Sequence, residues 1–451
     1  MTTPLAKTRR RTARAGAVLL ASLAAAGAAA CSPPGEGGRA TQDQVAPASV
    51  STDIGEEPIE LTLYDGAGLK AVDEALIEAF TAKHPNVTIT TRFDPDDVQA
   101  QNAPRVLASD DPPDIARIIA LGDIVGNGQL TKLDAWAQAY GWEIPEGQLA
   151  MYRVDDNGVR GAGAQYTVAS GFVVTGLYYN KEIAERVGMG EPPTTIVELE
   201  EDLAAAKQAG VVPIMAGNQT GQLIFTVQML LNDALGQQAL NDWVFNAPGA
   251  TIDTSEAADA VGTVANWVEA GYFPADTNGT DSTAALGRFA RGEALFYPSG
   301  NWDAAALEEQ MGDNVGFVLP PSSDGTSSLA MSDPVSNFAI PAKSDAKDAA
   351  AAFLDFLTSE EARQVMVDAG FAPSGEGDAP TTEPGSLNAE VQAAFADLVE
   401  ADGQVQFVQN ATSGINATWL AQTQLLAGGG RTSPADLLTA VQAKYDEELG
   451  R

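Results

Sequence analysis

The side chains able to do chemistry in this chain are carboxylates and indoles, not imidazoles and thiols: 61 Asp/Glu and 6 Trp stand beside one His and one Cys. His84 sits next to Pro85 and reads as an exposed helix-end residue. Without a second His or Cys, His-assisted nucleophiles and ordinary zinc sites are out of reach, and neither a phosphate loop nor a dinucleotide fingerprint is present. Three uses of the inventory remain. Paired carboxylates could hydrolyse a glycosidic bond, strand-end aspartates could hold a cation, and flat aromatic faces rimmed by fixed polar groups could grip a polyol.

Candidates for such a site follow from position. Asp65 lies in the turn after the first predicted strand, Asp94 after the second and Asp114 just before the third, with Tyr64 as an aromatic wall. Trp302 follows a strand expected over Ala294 to Tyr297 and the turn Pro298-Ser299-Gly300, which puts its indole at a helix opening beside free N–H groups. Trp243, near Asn241 and Asp242, reads as exposed; Trp136, Trp142 and Trp267 fall in apolar helical patterns and read as packing. For an amino-acid ligand only Arg92, Arg117, Arg153 and Arg160 lie near enough to pair a carboxylate, and none is well placed.

The elements that must position these residues are α/β in character. Ile59, Leu61 and Leu63 alternate as in a strand, Leu69, Val72, Leu76 and Phe80 recur at helical spacing, and Val87, Ile89 and Thr91 begin a second strand. Strand–helix–strand order favours parallel pairing, with ligands at the carboxyl ends of the strands. A second series starts near Leu177, with a short helix over Lys181 to Val187 and a capping box at Thr195 and Glu198. Thr358 with Glu361 predicts another capping box, and Ser433-Pro434 a helix start.

The N-terminus bears on location. Lys7, Arg9, Arg10, Arg11 and Arg14 precede an apolar run, Ala15 to Ala30, that is too short to span a bilayer. Residues 1–30 read as an export signal ahead of Cys31, and residues 31–57, poor in large apolar side chains, as a flexible tether. The layout resembles a lipoprotein signal, with Ala28 where that motif usually has Leu. The resemblance implies acylation of Cys31, a palmitate-bearing anchor and display on the extracellular or periplasmic face of the cell membrane. The formal net charge of −36 disfavours nucleic acid and anionic lipid as partners.

Five further stretches, in order, resemble the extracellular solute-binding proteins of family 1, the carbohydrate-binding lipoproteins of ABC importers. They are Asp110 to Ile115; Gly176-Leu177-Tyr178-Tyr179-Asn180-Lys181-Glu182 with Glu191-Pro192-Pro193-Thr194; Gly292 to Phe296 with Gly300-Asn301-Trp302; Phe338 to Lys343; and Ala349 to Ala362. The chain departs from the family at Ile196, where Trp is usual, and at Ile118-Ile119-Ala120, which offers no aromatic platform. The resemblance implies a two-lobe periplasmic-binding-protein-like α/β fold with a hinge and an interlobe ligand cleft. Lobe 1 would comprise 58–170 with 329–375, and lobe 2 would comprise 174–325 with 376–451. It further implies closure on a sugar or oligosaccharide, delivery to membrane permease subunits, a monomer, no cofactor, no metal and no catalysis. Trp419 then offers a second aromatic to the cleft, and Asn337 reaches across it from the start of a strand in the returning first lobe.

Overall fold

The computed structural model describes residues 49–156, 158–375, 381–412, 414–429 and 431–451. The expected export signal, Cys31 and the first part of the tether lie outside the described residues. Two sheets organise the rest. The first contains β1 (Ile59–Gly66), β2 (Val87–Asp94), β3 (Ile115–Arg117), β4 (Thr167–Phe172), β9 (Pro334–Ala339) and β10 (Ala372–Pro373); the second contains β5 (Thr175–Asn180), β6 (Val212–Ile214), β7 (Ala294–Gly300) and β8 (Val315–Val318). Their orders are β10-β4-β9-β3-β1-β2 and β8-β5-β7-β6.

Alternation sets the register. Leu61 and Leu63 of β1 are buried, and β1 runs parallel to β2 from Ile59↔Val87 to Gly66↔Asp94. The carboxyl ends of both strands therefore emerge side by side, carrying Tyr64, Asp65 and Asp94 to one edge. The helix Lys70–Lys83 between them buries Val72, Leu76 and Phe80. The strand β9 returns antiparallel to both β3 and β4.

Each sheet has its own core. Leu61, Leu63, Phe80, Ile115, Phe338 and Phe353 form the first, and Leu203, Val227, Leu231, Trp243, Phe296 and Leu438 belong to the second. A third cluster, with Phe172, Val174, Tyr178, Tyr297 and Phe395, joins the two lobes where the chain passes from β4 to β5. The chain passes again between Ala330–Met331, paired with Gln404–Val405, and β9. After β10 it reaches the helix Leu387–Glu400, whose Glu390 accepts the Phe317 N–H at 2.9 Å and pairs with Lys181.

Local sequence rules hold at several ends. Thr195 and Glu198 form the expected capping box, and Ser433 caps a helix with Pro434 in its first turn. The cap expected at Thr358 is Ser359, one residue on, whose hydroxyl accepts the Ala362 N–H. Two expectations are corrected. Pro298-Ser299-Gly300 is not a turn but the end of β7, because backbone pairing to β5 continues to Thr175↔Gly300. The last part of the tether, residues 49–57, is docked: Val50 and Ile54 pack against the first core, and the Ser51 N–H donates to Asp348 Oδ1 at 3.0 Å. No helix among the described residues is long and apolar enough to cross a membrane.

Candidate ligand-binding cleft

At the first lobe's strand ends the polar groups are largely satisfied by one another. The Tyr64 hydroxyl and the Arg92 guanidinium each donate to Asp94 at 2.8 Å, with Arg92 lying 4.8 Å over the Tyr64 ring. These bonds hold the Asp94 carboxyl below its usual range, while burial and the same bond push the Tyr64 phenol up to about 12. Asp65 is fully buried, ion-paired with Arg117, and accepts the Gly66 N–H. The buried Asp73 lies close enough to couple to its charge, and accepts the Ser336 hydroxyl at 2.6 Å. Burial raises both pKa values, Asp73's well above the ordinary range, because two carboxylates in contact cannot both stay ionised.

Asp114 is a structural turn residue. It accepts from the Thr62 N–H (2.9 Å), the Thr62 hydroxyl (3.0 Å) and the Ser344 hydroxyl (2.8 Å), tying β1 to the loop before β3. Asn337 is buried; its Nδ2 donates to the Ile118 carbonyl at 3.3 Å, and its Oδ1 has no hydrogen-bond partner.

Between the lobes lies a cavity of ≈ 400 Å³. Ile119, Gly122 and Asp123 line it from lobe 1, and Asn246, Asn410 and Glu448 from lobe 2. Ile119 keeps 38% of its surface exposed there, so the first-lobe wall is aliphatic where an aromatic platform is missing from the sequence. Arg160 lines the same cavity. Its Nη2 donates to Gln406 Oε1 at 2.7 Å and its guanidinium sits 5.0 Å over the Phe245 ring. Asp333, on the chain passing into β9, accepts the Phe407 N–H at 3.3 Å and the Asn410 amide. Burial pushes Asp333 up to about 6 and Arg160 down to about 10, each tempered by the other's charge.

Trp302 lies at the end of β7 with 39% of its surface exposed, the one tryptophan among the exposed large apolar residues described. A Cβ at Gly300 would run into its ring, so glycine there is a packing requirement. Phe225 (5.8 Å) and Phe407 (6.4 Å) flank the indole, forming an aromatic shelf. Its neighbour Asn301 fastens the shelf to the lobe crossing: the Asn301 N–H donates to the Val174 carbonyl, its Oδ1 accepts the Val174 N–H, and its Nδ2 donates to the Phe172 carbonyl.

The other two candidate indoles are not on an open surface. Trp243, expected to be exposed, is fully buried: the helix Leu223–Val244 turns it inward, its ring stacks on Tyr445 at 4.5 Å, and its Nε1 donates to Gln442. Trp419, expected at the cleft, is fully buried in the second-lobe core, because its helix Ile415–Ala427 turns that face toward the core. Trp136, Trp142 and Trp267 pack as expected, each donating its Nε1 to a carboxylate, Asp348, Asp355 and Glu200. Phe225 and Phe407 were not singled out for the site, and Arg160 was weighed only as a partner for a ligand carboxylate and set aside. Only the glycines flanking Arg160 (Gly158, Gly161, Gly163) signal a tightly folded loop there, and nothing local marks the two phenylalanines.

The sequence profile of a family described as bacterial extracellular solute-binding protein matches residues 66–364. No curated protein matches the chain. Among solved structures, a chitin oligosaccharide binding protein is 20% identical with a TM-score of 0.71, covering 87% of this chain and 100% of its own. The solute-binding protein RafE in complex with raffinose is 20% identical with a TM-score of 0.67, covering 86% of this chain and 99% of its own. The GacH receptor of Streptomyces glaucescens, solved unliganded and with acarbose, is 18% identical with a TM-score of 0.65, covering 88% and 99%. These likenesses establish the two-lobed fold.

Proposed function

The chain belongs to the bacterial extracellular solute-binding protein family, and from that premise we propose that it captures a sugar or oligosaccharide between its lobes and delivers it to the permease subunits of an ABC importer. The observation that carries this reading is the partly exposed Trp302 on its Phe225–Phe407 shelf; a separate set of amides, Asn246, Gln409, Asn410 and Asn416, lines the interlobe cavity, two of them following Phe407 closely in the chain. An indole face takes the apolar face of a sugar ring, and fixed amides meet its hydroxyls. A solute touched by both lobes favours the closed arrangement through its differential affinity for the two states.

No chemistry on the solute belongs to this reading. At the first-lobe strand ends Asp65 and Asp73 are buried, Asp65 paired with Arg117 and Asp73 bonded to Ser336. Residues 1–30 act as the export signal, Cys31 carries the acyl anchor, and the protein works as a monomer at the outer face of the membrane. A Cys31→Ser variant released into the medium supports the anchor; one retained at the membrane overturns it. A second reading, a cationic solute, is favoured by one feature: Asp123 and Glu448 line the cavity from opposite lobes.

The test is thermal melting of the exported protein against mono- and oligosaccharides, polyamines and amino acids. A solute at about 100 times its Kd adds roughly 2.7 kcal/mol. A shift with saccharides only supports the sugar reading, and a shift with polyamines only replaces it with the second. Turnover of chromogenic glycosides would overturn both.

A further inference from the structure

We propose that the segment 158–163, which leads into Ala164–Gln165, is a latch that holds the cleft shut, with Arg160 as the residue that engages it. The inference rests on reading the interlobe cavity as the solute site, and it adds a closing element beside the hinge strands.

The loop belongs to lobe 1. Arg153–Val154 pairs with Ala164–Gln165, the Tyr166 N–H donates to the Tyr152 carbonyl, and Val154 and Tyr166 pack with Tyr64 and Ile118. Its tip touches lobe 2. The Arg160 N–H donates to the Phe245 carbonyl at 3.2 Å, its Nη2 donates to Gln406 Oε1 at 2.7 Å, and its guanidinium covers the Phe245 ring at 5.0 Å. Phe245 terminates the helix Leu223–Val244, whose inward residues build the second-lobe core. Gln406 is anchored in lobe 2 by Asn241, whose Oδ1 accepts its N–H at 2.9 Å.

The fit is close at the next residue. Gly161 has φ +95°, and a Cβ there would lie 2.9 Å from the Phe245 ring, so only glycine lets the loop seat against that ring. These contacts join the lobes without a covalent crossing, so parting the lobes breaks them. Arg160 also forms part of the cavity wall, and its buried Nε has no hydrogen-bond partner there. A solute oxygen at that nitrogen would join guest and latch in one network, which makes Arg160 a positioning residue for closure.

Hydrogen exchange read amide by amide tests this on the solute-free exported protein. The amide at position 160 is protected by lobe 2, through Phe245, whereas the amide of Gly161 is protected within the loop, through the Arg153 carbonyl. Arg160→Ala and Gln406→Leu each remove the guanidinium bond, and the lost charge-assisted bond speeds exchange at position 160 by about tenfold to a hundredfold. Exchange at Gly161 stays unchanged, and the double variant adds little to either single one. Unchanged exchange at position 160 in both variants overturns the latch. Equal acceleration at 160 and 161 also overturns it, because the loop then frays by itself. Since no solute is added, failure of the sugar reading leaves this test intact.

Discussion

The two walls of the cleft use polar and aromatic side chains in opposite ways. At the strand ends of lobe 1, Tyr64, Asp65, Arg92, Asp94 and Arg117 are bonded largely to one another, and Asp65 is sealed from solvent. At the end of β7 in lobe 2, Trp302 keeps more than a third of its surface open, while Trp243 and Trp419 of the same lobe are fully buried. A ligand-competent residue is therefore distinguished by incomplete satisfaction, not by type. A buried carboxylate already paired gains nothing from a guest, whereas an indole half out of its core gains a contact face.

The largest effect that would sharpen this contrast is on folding. Trp243→Ala should cost about 3–5 kcal/mol in urea unfolding, because it empties a fully buried site and removes one donor to Gln442 and the ring stacked on Tyr445. Asp65→Ala should cost about as much, since it removes the carboxylate from a buried ion pair with Arg117. Trp302→Ala should leave the solute-free melt nearly unchanged and abolish the shift caused by the true solute, roughly 2.7 kcal/mol at 100 times Kd. Early unfolding of Trp302→Ala would erase the contrast between the indoles.

A pH effect ranks next. The folded Asp333 pKa of about 6 exceeds an unfolded value of about 3.9. The folded chain therefore holds a proton in this window that the unfolded chain has released. Its stabilising contribution is complete below about pH 4 and disappears as pH rises through about 6, a change of about 3 kcal/mol. Asp333→Asn should flatten the stability profile between pH 4.5 and 7, and an unaltered slope would refute the assignment. The smallest effect is at Asp73. Burial and the charge of Asp65 raise the Asp73 pKa well above its ordinary value, which favours the neutral form; a neutral amide is then a near substitute, and Asp73→Asn should stay within about 1 kcal/mol of the parent. A loss as large as that of Asp65→Ala would show that Asp73 is ionised.

Much of the framework was legible because it rests on local rules. Apolar alternation in β1, the capping box at Thr195 and Glu198, and Ser433-Pro434 at a helix start depend on neighbours within a few residues. The indoles were not legible in the same way. Trp243 follows Asn241 and Asp242 and looks exposed in sequence, yet Asn241 faces Gln404 and Gln406 while Trp243 turns to Tyr445. Which face of a helix is buried depends on what packs against it.

By itself the sequence determined the α/β character, the shortage of imidazole and thiol chemistry, the acidic charge and the order of the elements, since composition and short-range periodicity need no partner. Only the tertiary structure decided which indole stays open, that Asp65 finds Asp73 and Arg117, and that Arg160 crosses to Gln406 and Phe245. Those outcomes depend on contacts between residues up to hundreds of positions apart, such as 246 between Arg160 and Gln406, and burial and pairing there are properties of the assembled lobes.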